Sequence, residues 1–431
     1  MKYKRPIQSI FMTLLSLTAV CAPAEAQTGF SLEARRQIHS TFEYPIDRWT
    51  AGGDATRYVY LHMTEFWRHA IIRRNGDTNA LANIHREDVS NFVTRSTFGE
   101  LPLQAYVRQS PTDGLIVLHE GKIVFEAYPR MARGDHHSYF SISKTFVATL
   151  IGVLEERKLL DVTKPIDFYL DELKGSAWQD ISILDILDMA SGIDCRESEE
   201  SSYTDPATCF YQFFEAIGFP YADQAWEAPL DFFKQMSTFR PAGEAFDYSG
   251  INTVLLSFLV EKVTQTPFAK VIEEEVWQKI GAESDAYIAT SPYGHAASLG
   301  GMSSTLRDLA RYGLLFVPAG RQEVKPVISS THLDAIQNGG RPELLGRSTT
   351  ELLNGEAARH NTYQWDRVMS DGDFFKFGFG GQGLYLSPKR DLVIAFFGSQ
   401  DENGTTNELH HIARQLAVSG LFENASSPSV R

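Results

Sequence analysis

The chain has 431 residues, 43% of them hydrophobic, which is enough to bury a large core in one or two domains. Its formal charge is −14, and an acidic surface disfavours nucleic acid and anionic membranes as partners. Three cysteines and no repeated Cys/His spacing leave little basis for a metal site, and no cofactor is expected.

Residues 1–26 read as a signal peptide. Lys2, Lys4 and Arg5 precede an apolar run from Ile10 to Ala22, and Ala24-Glu25-Ala26 offers a small-x-small cleavage site before Gln27. The run is too short to span a bilayer. Cleavage after Ala26 removes three basic residues and one acidic one, moving the charge from −14 to −16. The mature chain is expected in the periplasm or outside the cell, with no membrane span. In that oxidising setting the remaining Cys195 and Cys209 point to one disulfide, with two buried thiols as the alternative. The neighbouring pairs His136-His137 and His410-His411 point apart on any regular element, and are read as surface histidines.

Residues 27–104 form a polar, mixed lead-in expected to pack on the main domain, with a helix over 58–72. Gly114 to Tyr128 predicts a hairpin, two apolar runs around Glu120-Gly121. Tyr139-Phe-Ser-Ile-Ser-Lys144 then opens an apolar run to Leu154, read as a helix buried on nearly all sides. Ser141 and Lys144 lie i,i+3 on one face of its first turn. There a lysine of lowered pKa can take the serine proton, and helix N–H groups can hold an oxyanion.

A mostly helical stretch follows, roughly 155–290. Ile181 to Met189 is apolar at helical spacing and stops at Ser191-Gly192. Thr266-Pro267 opens another helix, and Thr305-Leu-Arg-Asp308 resembles a capping box. Tyr248 sits on the loop before the apolar helix that starts near Ile251, where a phenol can relay protons. Near the C-terminus, Phe377-Gly-Phe-Gly-Gly-Gln-Gly383 marks a strand that a ligand or another backbone approaches closely. Gln382–Ser387, Pro388–Asp391 and Leu392–Phe397 predict a second hairpin, and a last amphipathic helix runs from about Thr406 to Leu421. Short connections at both ends imply an α+β fold, with one central antiparallel sheet flanked by helices and a helical lobe inserted. Gly-x-Ser-x-Gly is absent, which removes support for an α/β-hydrolase elbow.

Ser141-x-x-Lys144 after a hairpin, Tyr248 in a helical insert and a Gly-rich C-terminal strand together resemble the serine β-lactamase and penicillin-binding protein family. Ile181 to Gly192, Ser298 to Leu309, Tyr363-Gln-Trp365 and Gly378 to Gln382 look like its class C-like branch of esterases and 6-aminohexanoate-dimer hydrolase-like enzymes. The resemblance covers about residues 105–420, and the serine hydrolase domain is placed at 105–425. It implies a hydrolase forming an acyl-enzyme on Ser141, with Lys144 and Tyr248 moving protons and N–H groups of Ser141 and Gly381 as oxyanion hole. Gly378, Phe379, Gly380 and Asn252 are the expected substrate-binding residues.

Two departures bear on substrate. The family's Tyr-x-Asn reads Tyr248-Ser249-Gly250, and its Lys-Thr-Gly reads Gly378-Phe379-Gly380, with Lys376 as an alternative cation. Losing a partner asparagine and a cation points to an ester or short linear amide as the small-molecule substrate. A β-lactamase, a DD-peptidase or a catalytically silent ligand-binding member are the alternatives.

Overall fold

A computed structural model describes residues 30–40, 52–197, 203–219, 225–321, 327–346 and 353–423. The signal-like segment and its cleavage site lie outside the described residues. The central sheet has seven antiparallel strands: β1 (Thr112–His119), β2 (Lys122–Ala127), β3 (His360–Thr362), β4 (Trp365–Val368), β5 (Phe374–Gly378), β6 (Gln382–Ser387) and β7 (Leu392–Gly398), in the order β2-β1-β7-β6-β5-β4-β3. Both expected hairpins are present. Glu120 and Gly121, with φ of 51° and 72°, make the tight turn between β1 and β2, whose positive φ values match the twist of the strands. Asp391 at φ 48° closes the turn from β6 to β7.

The strands are apolar on both faces because both are covered. On one side, Ile116, Leu118, Leu384, Leu386, Val393 and Phe397 share a core with α1 (Ser143–Glu156), α2 (Gly250–Thr264) and α3 (Leu306–Leu314). On the other, Leu115, Val117, Phe375, Ile394 and Phe396 pack with α4 (Leu409–Ala417) and residues Val89, Leu103 and Tyr106. Thr305 caps α3, its Oγ1 accepting from the Asp308 N–H, as its sequence implies. Gly313 lets α3 lie close on the sheet, since a Cβ there would stand 2.6 Å from Val393 Cγ1. Helices α1 and α2 pack against each other; α1 carries Lys144, three residues after Ser141, and α2 begins two residues after Tyr248.

Three expectations change. The 58–72 stretch is α-helical only to Leu61, followed by a single 3-10 turn at Met63–Glu65. Its far end, His69–Ile72, is a strand pairing with Ala286–Ala289 in a second sheet of four short strands, because tertiary pairing overrides a weak local preference. His137 is not at the surface. It lies on a two-residue strand of that second sheet, fully enclosed, with Nε2 3.1 Å from Asp113 Oδ2 and its ring stacked on Phe397. The 181–189 and 406–421 helices are shorter than their apolar patterns, running Ile183–Leu187 and Leu409–Ala417. Among the described residues no helix is long and apolar enough to cross a membrane.

Candidate active site

Ser141 sits in a 3-10 turn, Phe140–Ile142, that runs directly into α1. Phe140 enters that turn at φ 46°, a backbone conformation that costs a bulky residue energy and is held by its surroundings. Tyr139 N–H donates to the Met302 carbonyl at 2.8 Å, and the Ser143 hydroxyl accepts from Met302 N–H at 3.1 Å. The Ser298–Thr305 phrase is thus clamped to the start of α1. Ser141 is half-buried, open enough for a substrate to reach.

One turn on, Lys144 is 1% exposed. Its ammonium donates to the Leu299 carbonyl at 2.7 Å and to Ser141 Oγ at 3.1 Å. Burial pushes the Lys144 pKa from its ordinary 10.5 down to about 8. Glu197 and Asp366 oppose that fall, and Lys376 adds to it. At pH 7 about a tenth of Lys144 is therefore neutral, ready to accept the serine proton. Tyr248 reaches the same oxygen from the loop before α2, where its hydroxyl hydrogen-bonds Ser141. Burial, then Asp366 and Glu197, push its phenol well above 10, so it is protonated at neutral pH. The Tyr248 ring lies between two lysines, with Lys144 Nζ 5.1 Å and Lys376 Nζ 4.9 Å from its centroid.

Lys376 on β5 is fully buried and paired with Asp366 of β4 at 2.5 Å. The other Asp366 oxygen accepts from Phe377 N–H at 2.9 Å. The Lys-x-Gly spacing is therefore met at 376–378, with Lys376 rather than Gly378 beside Tyr248. Its charge is engaged by a carboxylate inside the protein. Gly378 ends β5 against the segment before Ser141: a Cβ there would overlap the Tyr139 carbonyl. The turn 379–381 follows. Phe379 is 44% exposed and its ring stands edge-on to Phe140 at 5.8 Å, which puts it at the mouth of the site. Gly380 (φ 82°) lies against Tyr60, and Gly381 (φ 107°) accepts from the Asn407 amide at 2.9 Å. Asn252 is placed differently from the rest. It is 1% exposed within α2, and its amide lies 3.3 Å from the Ser249 carbonyl, where it helps hold the turn behind Tyr248.

Glu197 and Asp366 are the residues that reading the sequence missed. Glu197 accepts from the Tyr203 hydroxyl and from Gly250 N–H, each at 2.7 Å. It sits two residues after Cys195, which is disulfide-bonded to Cys209. Among the described residues no group of three His, Cys, Asp or Glu side chains could hold a metal ion.

A serine held by a buried lysine and a tyrosine thus lies between the start of a helix and the end of β5, on a sheet flanked by a helical lobe. The Beta-lactamase family model matches residues 103–419, and the chain belongs to that family. It is 28% identical over 369 residues to the 6-aminohexanoate-dimer hydrolase of Paenarthrobacter ureafaciens, covering 84% of this chain and 90% of that one. A solved structure from Bacillus anthracis, assigned provisionally as a 6-aminohexanoate-dimer hydrolase, shares 25% identity. It superposes with a TM-score of 0.70 over 86% of this chain and 94% of its own. A class C β-lactamase solved with cefoxitin shares the fold at 17% identity, with a TM-score of 0.53 over 74% and 96% of the two chains.

Proposed function

We propose that this Beta-lactamase-family hydrolase is exported and acts on esters or short linear amides through an acyl-enzyme on Ser141. The contact of Lys144 Nζ with Ser141 Oγ, on a lysine whose pKa burial lowers to about 8, carries this reading. Neutral Lys144 takes the proton as Ser141 Oγ bonds to the substrate carbonyl carbon. The developing oxyanion is received by N–H groups of Ser141 and of the 379–381 turn, assigned here to Gly381. Tyr248, still protonated at neutral pH, passes its proton to the leaving oxygen or nitrogen and regains one through Lys144. Water then attacks the acyl carbon, with the Lys144 amine, neutral again after returning a proton to Tyr248, as the base available to accept its proton, and the acid leaves. The disulfide and the signal-like segment support export.

The Lys376–Asp366 pair supports substrates without a carboxylate beside the scissile bond, since the nearest buried cation is engaged by a protein carboxylate. Gly250 in place of asparagine removes the side chain that would orient a β-lactam amide. The similarity to a 6-aminohexanoate-dimer hydrolase supports linear amides as candidates. A panel of p-nitrophenyl esters, 6-aminohexanoate dimer and nitrocefin tests the reading. Turnover of esters or the linear dimer, with nitrocefin spared, is expected. Efficient nitrocefin hydrolysis with no ester or linear-amide turnover would replace it with a β-lactamase.

A further inference from the structure

Glycine at position 250 leaves a space beside Tyr248, and the structure fills it from elsewhere in the chain. A Cβ on Gly250 would stand 2.6 Å from Leu299 Cδ1 and 3.3 Å from Glu197 Oε2. The Glu197 carboxylate, 53 residues away in sequence, thus borders the volume that a side chain at 250 would enter. Leu299 is the residue whose carbonyl holds Lys144. The backbone at 250 is therefore packed between the Lys144 acceptor and Glu197.

Two hydrogen bonds fasten the disulfide-closed loop to the segment carrying Tyr248. The Ser249 hydroxyl donates to the Cys195 carbonyl at 2.7 Å, and Gly250 N–H donates to Glu197 Oε2 at 2.7 Å. Tyr203, from the same 195–209 loop, donates to Glu197 Oε1. We propose that Glu197, delivered by this loop, is a positioning and specificity residue of the acylation centre. It turns the site toward substrates that bring an N–H donor or a positive charge and away from those that bring a carboxylate. This rests on the acyl-enzyme reading above.

Among the described residues, the titratable groups facing the centre come from five elements: Lys144 on α1, Tyr248 before α2, Glu197 with Tyr203 on the loop, Lys376 on β5 and Asp366 on β4. Arg196 is turned aside, its guanidinium 5.0 Å over the exposed Phe239 ring and its Nε 3.5 Å from Asp194. In the reactive form, with Lys144 neutral, two carboxylates face one ammonium among the described residues. An asparagine can both donate and accept, whereas a carboxylate only accepts. An incoming anion therefore meets repulsion where a partner amide is missing. Glu197 also holds the Lys144 pKa up against burial.

Glu197→Gln in the full chain, with p-nitrophenyl butyrate and mono-p-nitrophenyl glutarate as neutral and anionic esters, tests the proposal. Glutamine keeps the size and one acceptor oxygen for Gly250 N–H. The glutarate-to-butyrate ratio of kcat/KM is expected to rise at least fivefold, because one charge is removed close to the scissile bond. The acid limb of kcat/KM is expected to move down by about half a pH unit, as Lys144 loses a stabilising charge. Cys195→Ser/Cys209→Ser, which opens the loop, is expected to move the ratio the same way, and supplies the reading should Glu197→Gln fold poorly. A purely structural role would slow both esters alike and leave the limb in place, and that result overturns the proposal. Wild type that neither turns over an ester nor takes a fluorophosphonate on Ser141 overturns the acyl-enzyme reading, and this inference with it. Labelled, active wild type with an unmoved ratio overturns this inference alone.

Discussion

Lys144→Met should stabilise the protein while abolishing its chemistry. The folded state lowers the Lys144 pKa from 10.5 to about 8. Each tenfold change in proton affinity is 1.36 kcal/mol, so holding the ammonium inside costs about 3 kcal/mol below pH 8. Methionine fills similar space without that charge but leaves the Leu299 carbonyl without its donor, a loss of about 1–2 kcal/mol. The expected net gain at pH 7 is about 1–2 kcal/mol. The sign of the pH dependence follows from the same shift. An unfolded chain keeps the lysine proton up to about 10.5 and the folded chain only to about 8. Wild-type stability therefore climbs through that interval, and the advantage of the variant closes. Urea unfolding of both proteins at pH 7 and pH 10 measures this. A variant less stable than wild type at pH 7, or a gap unchanged at pH 10, would refute the reasoning.

Three further outcomes are expected. Asp366→Ala leaves Lys376 buried without its ion-pair partner and should cost about 3–5 kcal/mol in urea unfolding, whereas an exposed pair would cost under about 1 kcal/mol. Cys195→Ala/Cys209→Ala opens a loop spanning 14 positions and should lose about 3 kcal/mol by the chain-entropy estimate, read from the same melts. Gly378→Ala places a methyl group on the Tyr139 carbonyl, two residues before Ser141. Ester turnover should fall at least tenfold in protein whose circular dichroism remains native, and unchanged turnover would show that the strand and the serine turn are not in register as described.

The hairpins and the meeting of Ser141 with Lys144 were legible in the sequence because their signals are local. Glu120-Gly121 and Pro388–Asp391 carry turn chemistry, and Ser141 and Lys144 are one helical turn apart. Tyr248 was legible by its place before an apolar helix. Glu197 was not, because a glutamate in a charged stretch reads as solvated until the disulfide loop folds onto Ser249 and Gly250. Lys376 was legible only as a nearby cation: its pairing with Asp366 depends on the β4–β5 pairing. His137 misled because adjacency in sequence says that two side chains diverge, not which of them meets a core. The strand at 69–72 misled for a similar reason, since its partner lies more than 200 residues away.

The most direct measurement is the mass of the active-site peptide after fluorophosphonate treatment of folded protein. The account predicts one adduct, on Ser141. Ser141→Ala should remove it, and Lys144→Met should slow its formation at least a hundredfold. An unlabelled Ser141 in folded, wild-type protein, or labelling of another serine in its place, would contradict it.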